Sequence, residues 1–544
     1  MSLTGRLLTV TAATVMVFGL CARGTGAAAQ TPVAALPGPD LAAIHQIKNL
    51  ELTNSKVMDI ESWLTDVYGP RLTNSPDMRQ AAHWAEQEMK TWGIANVHEE
   101  PFPFGRGWSN DYTAAQELSP RVYPLIAYAE AWAPGTGGDV KAPAEIVSIN
   151  SQADFAMYDG QLKGKFVLDQ PLPANPLITG TASQITGEFR RLTDGELDAM
   201  RLAQPPRAGR GGRGGAAGVP RNQVLKFLLD QGVACVLEPG RGNSNDGTVF
   251  VAQAQGTDSN GTSFFGRATP LWNAQAPPAP CQLALSIESY GRIYRTLERK
   301  VPVTLDINVK NSYHTESGLN SFNIVGEIPG DLADQVVMLG GHFDSWQSAT
   351  GATDNGAGAA TMMEALRLLK VSGLKMRRTV RLALWTGEEQ GLLGSRAYVL
   401  QHFRNAQGAV LPEQEQISGY YNLDNGSGAI RGVYLQGNDM VAPLFRAWMM
   451  PFHDLGMTTL TIRDTGGTDH LSFVADGIPG FQFIQDQLDY ETRTHHSSAD
   501  TYEHVIPWDM ERNAIIVASF VYLTASRGPM LPRPPLPPVS ARPF

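Results

Sequence analysis

Apolar and polar positions along this chain fall into three successive textures. From residue 40 to about 97 the pattern is helical. Ser75 before Pro76 is a helix start, Ala81, Trp84, Ala85 and Met89 form one apolar stripe, and Gly93 ends that helix. From about 118 to 299 the chain turns to short β-like runs broken by glycine and proline. Residues 165–168, 233–237 and 283–287 read as strands and 222–229 as a short helix, so a separate, smaller β-rich domain is expected. From 301 onward, apolar runs at 336–339, 380–385, 420–423 and 481–484 alternate with helical patterns such as Ala359, Met362, Met363 and Leu366. Alternation of this kind predicts an α/β fold, a mostly parallel sheet flanked by helices on both faces. The chain shows no internal repeat.

Composition sharpens this picture at the margins. At 544 residues the chain is long for one domain, and 42% apolar with 18% charged residues supports a sizeable core and excludes a disordered chain. A net charge of −10 argues against nucleic acid or an anionic membrane as partner. Arg6, the apolar stretch 7–20 and Ala27-Ala28-Ala29 have the layout of a secretory signal peptide over 1–29. The stretch is short for a membrane anchor and is interrupted by Thr9, Thr11 and Thr14. No membrane association is expected once it is removed. That removal takes Cys21 and leaves Cys235 and Cys281, either as one disulfide or as two buried thiols. The Gly/Arg/Ala run 207–221 reads as a surface loop, not an RNA-binding tract, and the segment 529–544 is a proline-rich tail. Nothing in the sequence speaks to oligomeric state.

Chemistry enters where acids and histidines follow the apolar runs. His342 and Asp344 follow the run 336–339, Glu388 and Glu389 follow 380–385, Asp424 closes 420–423, and His496 comes after 481–484. Open α/β sheets build their sites beyond the carboxyl ends of their strands, so these groups are expected at one edge. Asp354 joins them from a glycine-rich turn leading into a helix near Ala357. Each alone reads more blandly: a solvated charge, a helix cap, a turn at Asp424-Asn425-Gly426, a core histidine at 342. Clustered, the carboxylates repel and are costly to desolvate, which calls for a cation. Two histidines among carboxylates suit zinc, and two histidines with three acids exceed one open four-coordinate site. They suit two ions sharing a carboxylate.

Gly341-His342-Phe343-Asp344, Gly351-Ala352-Thr353-Asp354-Asn355-Gly356, Gly387-Glu388-Glu389, Asn422-Leu423-Asp424 and His496-Ser497-Ser498-Ala499-Asp500 resemble the five signatures of the M28 zinc exopeptidase family. The similarity extends to Gly466-Gly467-Thr468-Asp469-His470 and to Gly69-Pro70-Arg71-Leu72-Thr73-Asn74-Ser75. The resemblance implies one zinc on His342, Asp424 and a bridging Asp354, and a second on Asp354, Glu389 and His496. It selects His496 over His495, because the family histidine lies four residues before an aspartate, here Asp500. It further implies that Glu388 is the general base and that Asp344 orients His342 through a hydrogen bond. In many relatives a tyrosine occupies the position of His495, whose role stays open.

The stretch 118–299 is similar to a protease-associated (PA) domain, an insert common in this family. The expected layout is therefore signal 1–29, first part of the peptidase domain 30–117, insert 118–299, catalytic peptidase domain 300–528 and tail. The expected activity is a secreted or periplasmic dizinc exopeptidase acting on short peptides or dipeptides. Two other readings are a non-catalytic receptor-like relative, which would have lost ligands, and a dizinc N-acyl amino acid deacylase. Arg463 and Arg493 are candidates to hold a substrate carboxylate. Asp469, His470, His453 and His504 carry no assigned role.

Overall fold

The computed structural model describes residues 38–173, 189–201, 218–240, 246–261, 268–405 and 407–535. The expected signal segment, the core of the Gly/Arg run and most of the proline-rich tail fall outside these residues.

The expected helical stretch is several helices, not one. Leu41–Asn54, Val57–Ser62 and a short π-helical turn Trp63–Val67 are followed by a break, then by helix Pro76–Thr91. Ser75 caps that last helix by accepting from the Met78 amide, and Gly93 leaves it at φ 78°. Gly69 and Pro70 make the break: a side chain at 69 would meet the carbonyl oxygens of Thr65 and Thr350, at 2.5 and 2.6 Å. The residues beyond it, Arg71 and Thr73, run inward to the strand ends.

In chain order the strands are β1 (Ala95–Pro103), β2 (Gly107–Ser119), β3 (Tyr123–Pro124), β4 (Ala127–Ala129), β5 (Asp139–Ile146), β6 (Phe166–Leu168), β7 (Cys235–Pro239), β8 (Gln282–Leu285), β9 (Thr304–His314), β10 (Asn320–Ile328), β11 (Leu332–His342), β12 (Arg378–Trp385), β13 (Ile417–Asn422), β14 (Ile430–Tyr434), β15 (Thr459–Thr461) and β16 (Gly480–Gln485). They form two eight-stranded sheets. The first has the order β1-β10-β12-β11-β13-β16-β14-β15. Its centre, β12-β11-β13-β16, is parallel, while β1, β10 and the β14/β16 pairing are antiparallel. The sheet is thus mixed with a parallel middle.

Both faces of that middle are buried, which is why its strands read as unbroken apolar runs. Val337, Leu339, Val380, Leu382 and Leu384 share a core with helices Ala357–Ser372 and Pro507–Ser526. Val336, Met338, Ala383 and Trp385 point the other way, onto Tyr398 and Val399 of helix Leu393–His402 and Phe473 of helix His470–Val474. The chain passes from β11 to β12 on one side and then to β13 on the other. In open α/β sheets that reversal is where a site forms, beyond the carboxyl ends of the strands. His342 pairs with Trp385, so β11 and β12 end together, while Gly340 pairs with Asn422 and Asn422 with Gln482, so β13 stops a little short of β11 and β16.

The second sheet has the order β3-β2-β9-β5-β6-β7-β8-β4. It draws on strands from Gly107 to His314, wider than the 118–299 expected. The additions are the long β2/β9 ribbon, whose alternate residues Leu305, Ile307 and Val309 are buried. The strand expected at 283–287 stops at Leu285, because Ser286 caps a helix, Ile287–Glu298, through the Ser289 amide. Cys235 and Cys281 are joined as a disulfide. Trp108, Trp132 and Trp385 are core, but Trp63 and Trp508 are exposed.

Candidate metal centre

The five side chains proposed as ligands from sequence converge. Nε2 of His342 lies 3.2 Å from Oδ1 of Asp354 and 3.3 Å from Oδ1 of Asp424. Nε2 of His496 lies 3.2 Å from Oδ2 of Asp354 and 2.9 Å from Oε2 of Glu389. Each histidine therefore faces a different oxygen of Asp354, with one further carboxylate of its own. Oδ2 of Asp354 and Oε1 of Glu389 are buried yet accept no hydrogen bond. Donor atoms about 3.3 Å apart with unused lone pairs are what ligands of one tetrahedral ion show, since each sits about 2.0–2.1 Å from the ion. The donor set fits zinc.

Charge tells the same story. Burial alone would raise Asp354, but the imidazoles of His342 and His496 outweigh it and hold this carboxyl well below its usual range. Burial works against a charged His342, yet Asp424 and Glu388 raise it well above normal. His496 is raised to about 10, its burial outweighed by Glu389 and Asp354. Acids that pull protons onto both imidazoles are acids that want a cation.

Glu388 is 8% exposed. Burial pushes its carboxyl well above the ordinary range; His342 opposes, and Asp424, Asp469 and Glu389 add to the rise. A buried carboxyl so placed is a better proton acceptor than an exposed one. Gly387, at φ 70°, turns the chain out of β12 into Glu388.

Asp344 acts differently from expectation. The Nδ1 atom of His342 meets the backbone carbonyl of Asp344 at 2.9 Å, while its nearer carboxylate oxygen stands 3.7 Å away, beyond a hydrogen bond. The carboxylate is turned instead to the Thr73 hydroxyl at 2.7 Å and to the amides of Glu388 and Glu389 at 3.3 and 3.4 Å. Asp344 thus fixes the backbone of Glu388 and Glu389. The main-chain carbonyl, not the carboxylate, accepts the histidine's hydrogen bond.

Sequence reasoning left three residues without these roles. Asp500 accepts from the amide and hydroxyl of Thr353, at 2.6 and 2.7 Å, and from the amide of Asp354 at 3.2 Å. It fixes the turn that presents the Asp354 carboxylate. Arg71 is fully buried and donates to the carbonyls of Leu64, Phe343, Thr350 and Gly351. Thr73 links Asp344 to the amide of Gly387. The signal for Arg71 and Thr73 lay in the segment 69–75, and for Asp500 in its spacing from His496. His495 also lies near, its Nε2 3.8 Å from Oδ2 of Asp354. Neither arginine expected to hold a substrate carboxylate stands idle: Arg463 donates to the carbonyl of Ala199 and Arg493 pairs with Asp246.

A mixed sheet whose strand ends gather two histidines and several carboxylates defines a metal-dependent hydrolase. The sequence profile of Peptidase family M28 matches residues 323–521. Carboxypeptidase Q of Xenopus laevis is 30% identical over 475 residues, covering 86% of this chain and 85% of the relative. Carboxypeptidase Q of Bos taurus is 26% identical over 477 residues with the same coverage. Among solved structures, the Peptidase M28 precursor of Shewanella amazonensis superposes with a TM-score of 0.62 at 23% identity, covering 91% of this chain and 98% of that one. The zinc aminopeptidase BSAP of Bacillus subtilis does so at 0.52 and 18%, covering 87% and 95%. The chain belongs to Peptidase family M28 and is a metallopeptidase.

Proposed function

We propose that this chain is an exported exopeptidase with two zinc ions, cleaving terminal peptide bonds of short peptides or dipeptides. The observation that carries it is the placement of His342 and His496 on opposite oxygens of Asp354. His342 and Asp424 would complete one site and Glu389 and His496 the other, with Asp354 shared. Zinc held there supplies Lewis acidity, polarising the scissile carbonyl and making a neighbouring water more acidic. Glu388 accepts a proton from that water as its oxygen attacks the carbonyl carbon. It returns the proton to the nitrogen as the C–N bond breaks, which releases an amine and a carboxylic acid. Asp344 holds Glu388 in place through its backbone amide.

We further take the second sheet to be a PA-type insert between β1 and β10. The near full-length likeness to carboxypeptidase Q supports a carboxypeptidase or dipeptidase activity over an aminopeptidase. The Cys235–Cys281 disulfide supports an oxidising compartment, in keeping with a signal over 1–29. The test is metal analysis of the purified chain together with assays on a free dipeptide, an amino-blocked peptide and a carboxyl-blocked peptide. About two zincs per chain, and cleavage of the dipeptide and the amino-blocked peptide, are expected. Activity surviving complete demetallation overturns the reading, and preference for the carboxyl-blocked peptide reassigns it to an aminopeptidase.

A further inference from the structure

His342 and Asp424 stand directly at the ends of neighbouring parallel strands, but His496 rides on the long loop 486–500. Two segments that leave the second sheet bind that loop at its two ends. Residues 189–192, between β6 and β7, meet its start. Arg190 and Leu488 exchange both backbone hydrogen bonds, at 3.0 and 2.8 Å, and the Asp486 carboxylate accepts from the Leu192 amide at 2.8 Å. Arg191 adds an ion pair to Asp486 at 2.9 Å. Residues 249–251, between β7 and β8, meet its other end. The Val251 amide donates to the carbonyl of His496 itself, and the Ser498 amide to that of Val249, both at 3.0 Å. The Val249 amide returns a bond to the Ser498 hydroxyl at 3.0 Å.

Val249 and Val251 are buried, so these bonds are shielded from water. His496 has φ 58°, a left-handed conformation that costs a residue with a Cβ about 1 kcal/mol and persists only where neighbours enforce it. The backbone bonds at and beside His496 come from a segment that leaves the second sheet.

We propose that the second sheet is part of the metal site: segments 189–192 and 249–251 brace the loop 486–500 and so set the zinc affinity of the Glu389/His496 half, leaving the His342/Asp424 half to the first sheet. This rests on the two-zinc reading above. Val251→Pro deletes the amide that holds His496, and Ser498→Ala deletes the hydroxyl that holds Val249; Ser498→Thr keeps the hydroxyl. Zinc binding to the metal-free proteins is followed by competition with a chromophoric chelator.

Both deletions are expected to weaken one of two zinc affinities by roughly 10- to 100-fold, the range for removing supports behind a metal ligand, with Ser498→Thr close to wild type. The affected site should be the one that Glu389→Gln abolishes. Wild-type affinities for both zincs in a folded Ser498→Ala chain overturn the proposal, as does equal weakening of both sites. If Val251→Pro fails to fold, Ser498→Ala decides. A wild-type chain that takes only one zinc fails earlier, at the two-zinc reading itself, and removes the proposal with it.

Discussion

The two halves of the site are built by different means. His342 is 1% exposed, grows from the centre of the first sheet, and is oriented by the main chain two residues on. His496 is 33% exposed, sits on a loop, and takes its backbone conformation from partners elsewhere in the chain. The first half is a by-product of folding the sheet. The second is assembled on top of it and stays more open to solvent. Rigid strand ends give accuracy, while a braced loop admits a ligand without opening the core.

The largest effect separates chemistry from both halves. Glu388→Gln should lower kcat by roughly a hundred- to ten-thousand-fold while zinc content, read by elemental analysis, stays at the wild-type value. Loss of zinc in that variant would make Glu388 a ligand and dissolve the distinction. Next come the histidines. In the metal-free chain His342→Ala strips a buried cationic partner from Asp354 and Asp424 and should cost about 3–5 kcal/mol in chemical denaturation. His496→Ala, at the open side, should cost clearly less; equal costs would mean that the halves are not built differently.

Asp500→Ala sharpens the contrast from the middle. It frees the turn presenting Asp354, which both halves share, so both zinc affinities should fall together by about 10- to 100-fold in a chelator competition. A fall confined to one half would show that Asp354 is not shared.

The smallest effect is a background that any pH study of the halves must subtract. Burial lowers His402, but Glu100 and Glu413, at 3.1 Å each, outweigh it and raise it to about 9. A folded value above the unfolded one of about 6.5 stabilises fully below pH 6.5 and is lost as pH rises through about 9. His402→Gln should flatten the fall in thermal stability between those values, and an unchanged slope would place its origin elsewhere.

The parallel strands were legible because burial on both faces leaves no polar position to interrupt them, as at 336–339 and 380–385. The site was legible for a related reason: its acids and histidines follow those runs directly. What lay hidden depends on contacts between distant parts of the chain. Thr73 reaches Asp344 across 271 positions, and no local pattern announces that. The roles within one residue were also hidden, since the carboxylate and the carbonyl of Asp344 do different work. The β2/β9 ribbon lies outside the expected insert because alternating, half-buried strands carry a weaker signal than buried ones, and Ile287 continues an apolar run although Ser286 caps a helix there.

Trp346 gives one last consequence. Its indole belongs to the hydrophobic core of the second sheet, yet stands edge-on to the imidazole of His496 with ring centres 6.0 Å apart. The chain thereby carries a built-in optical reporter: indole emission should shift as that imidazole changes charge or takes up a metal, and should lose this response in Trp346→Phe. Filling of the open half could then be followed in real time, without any label.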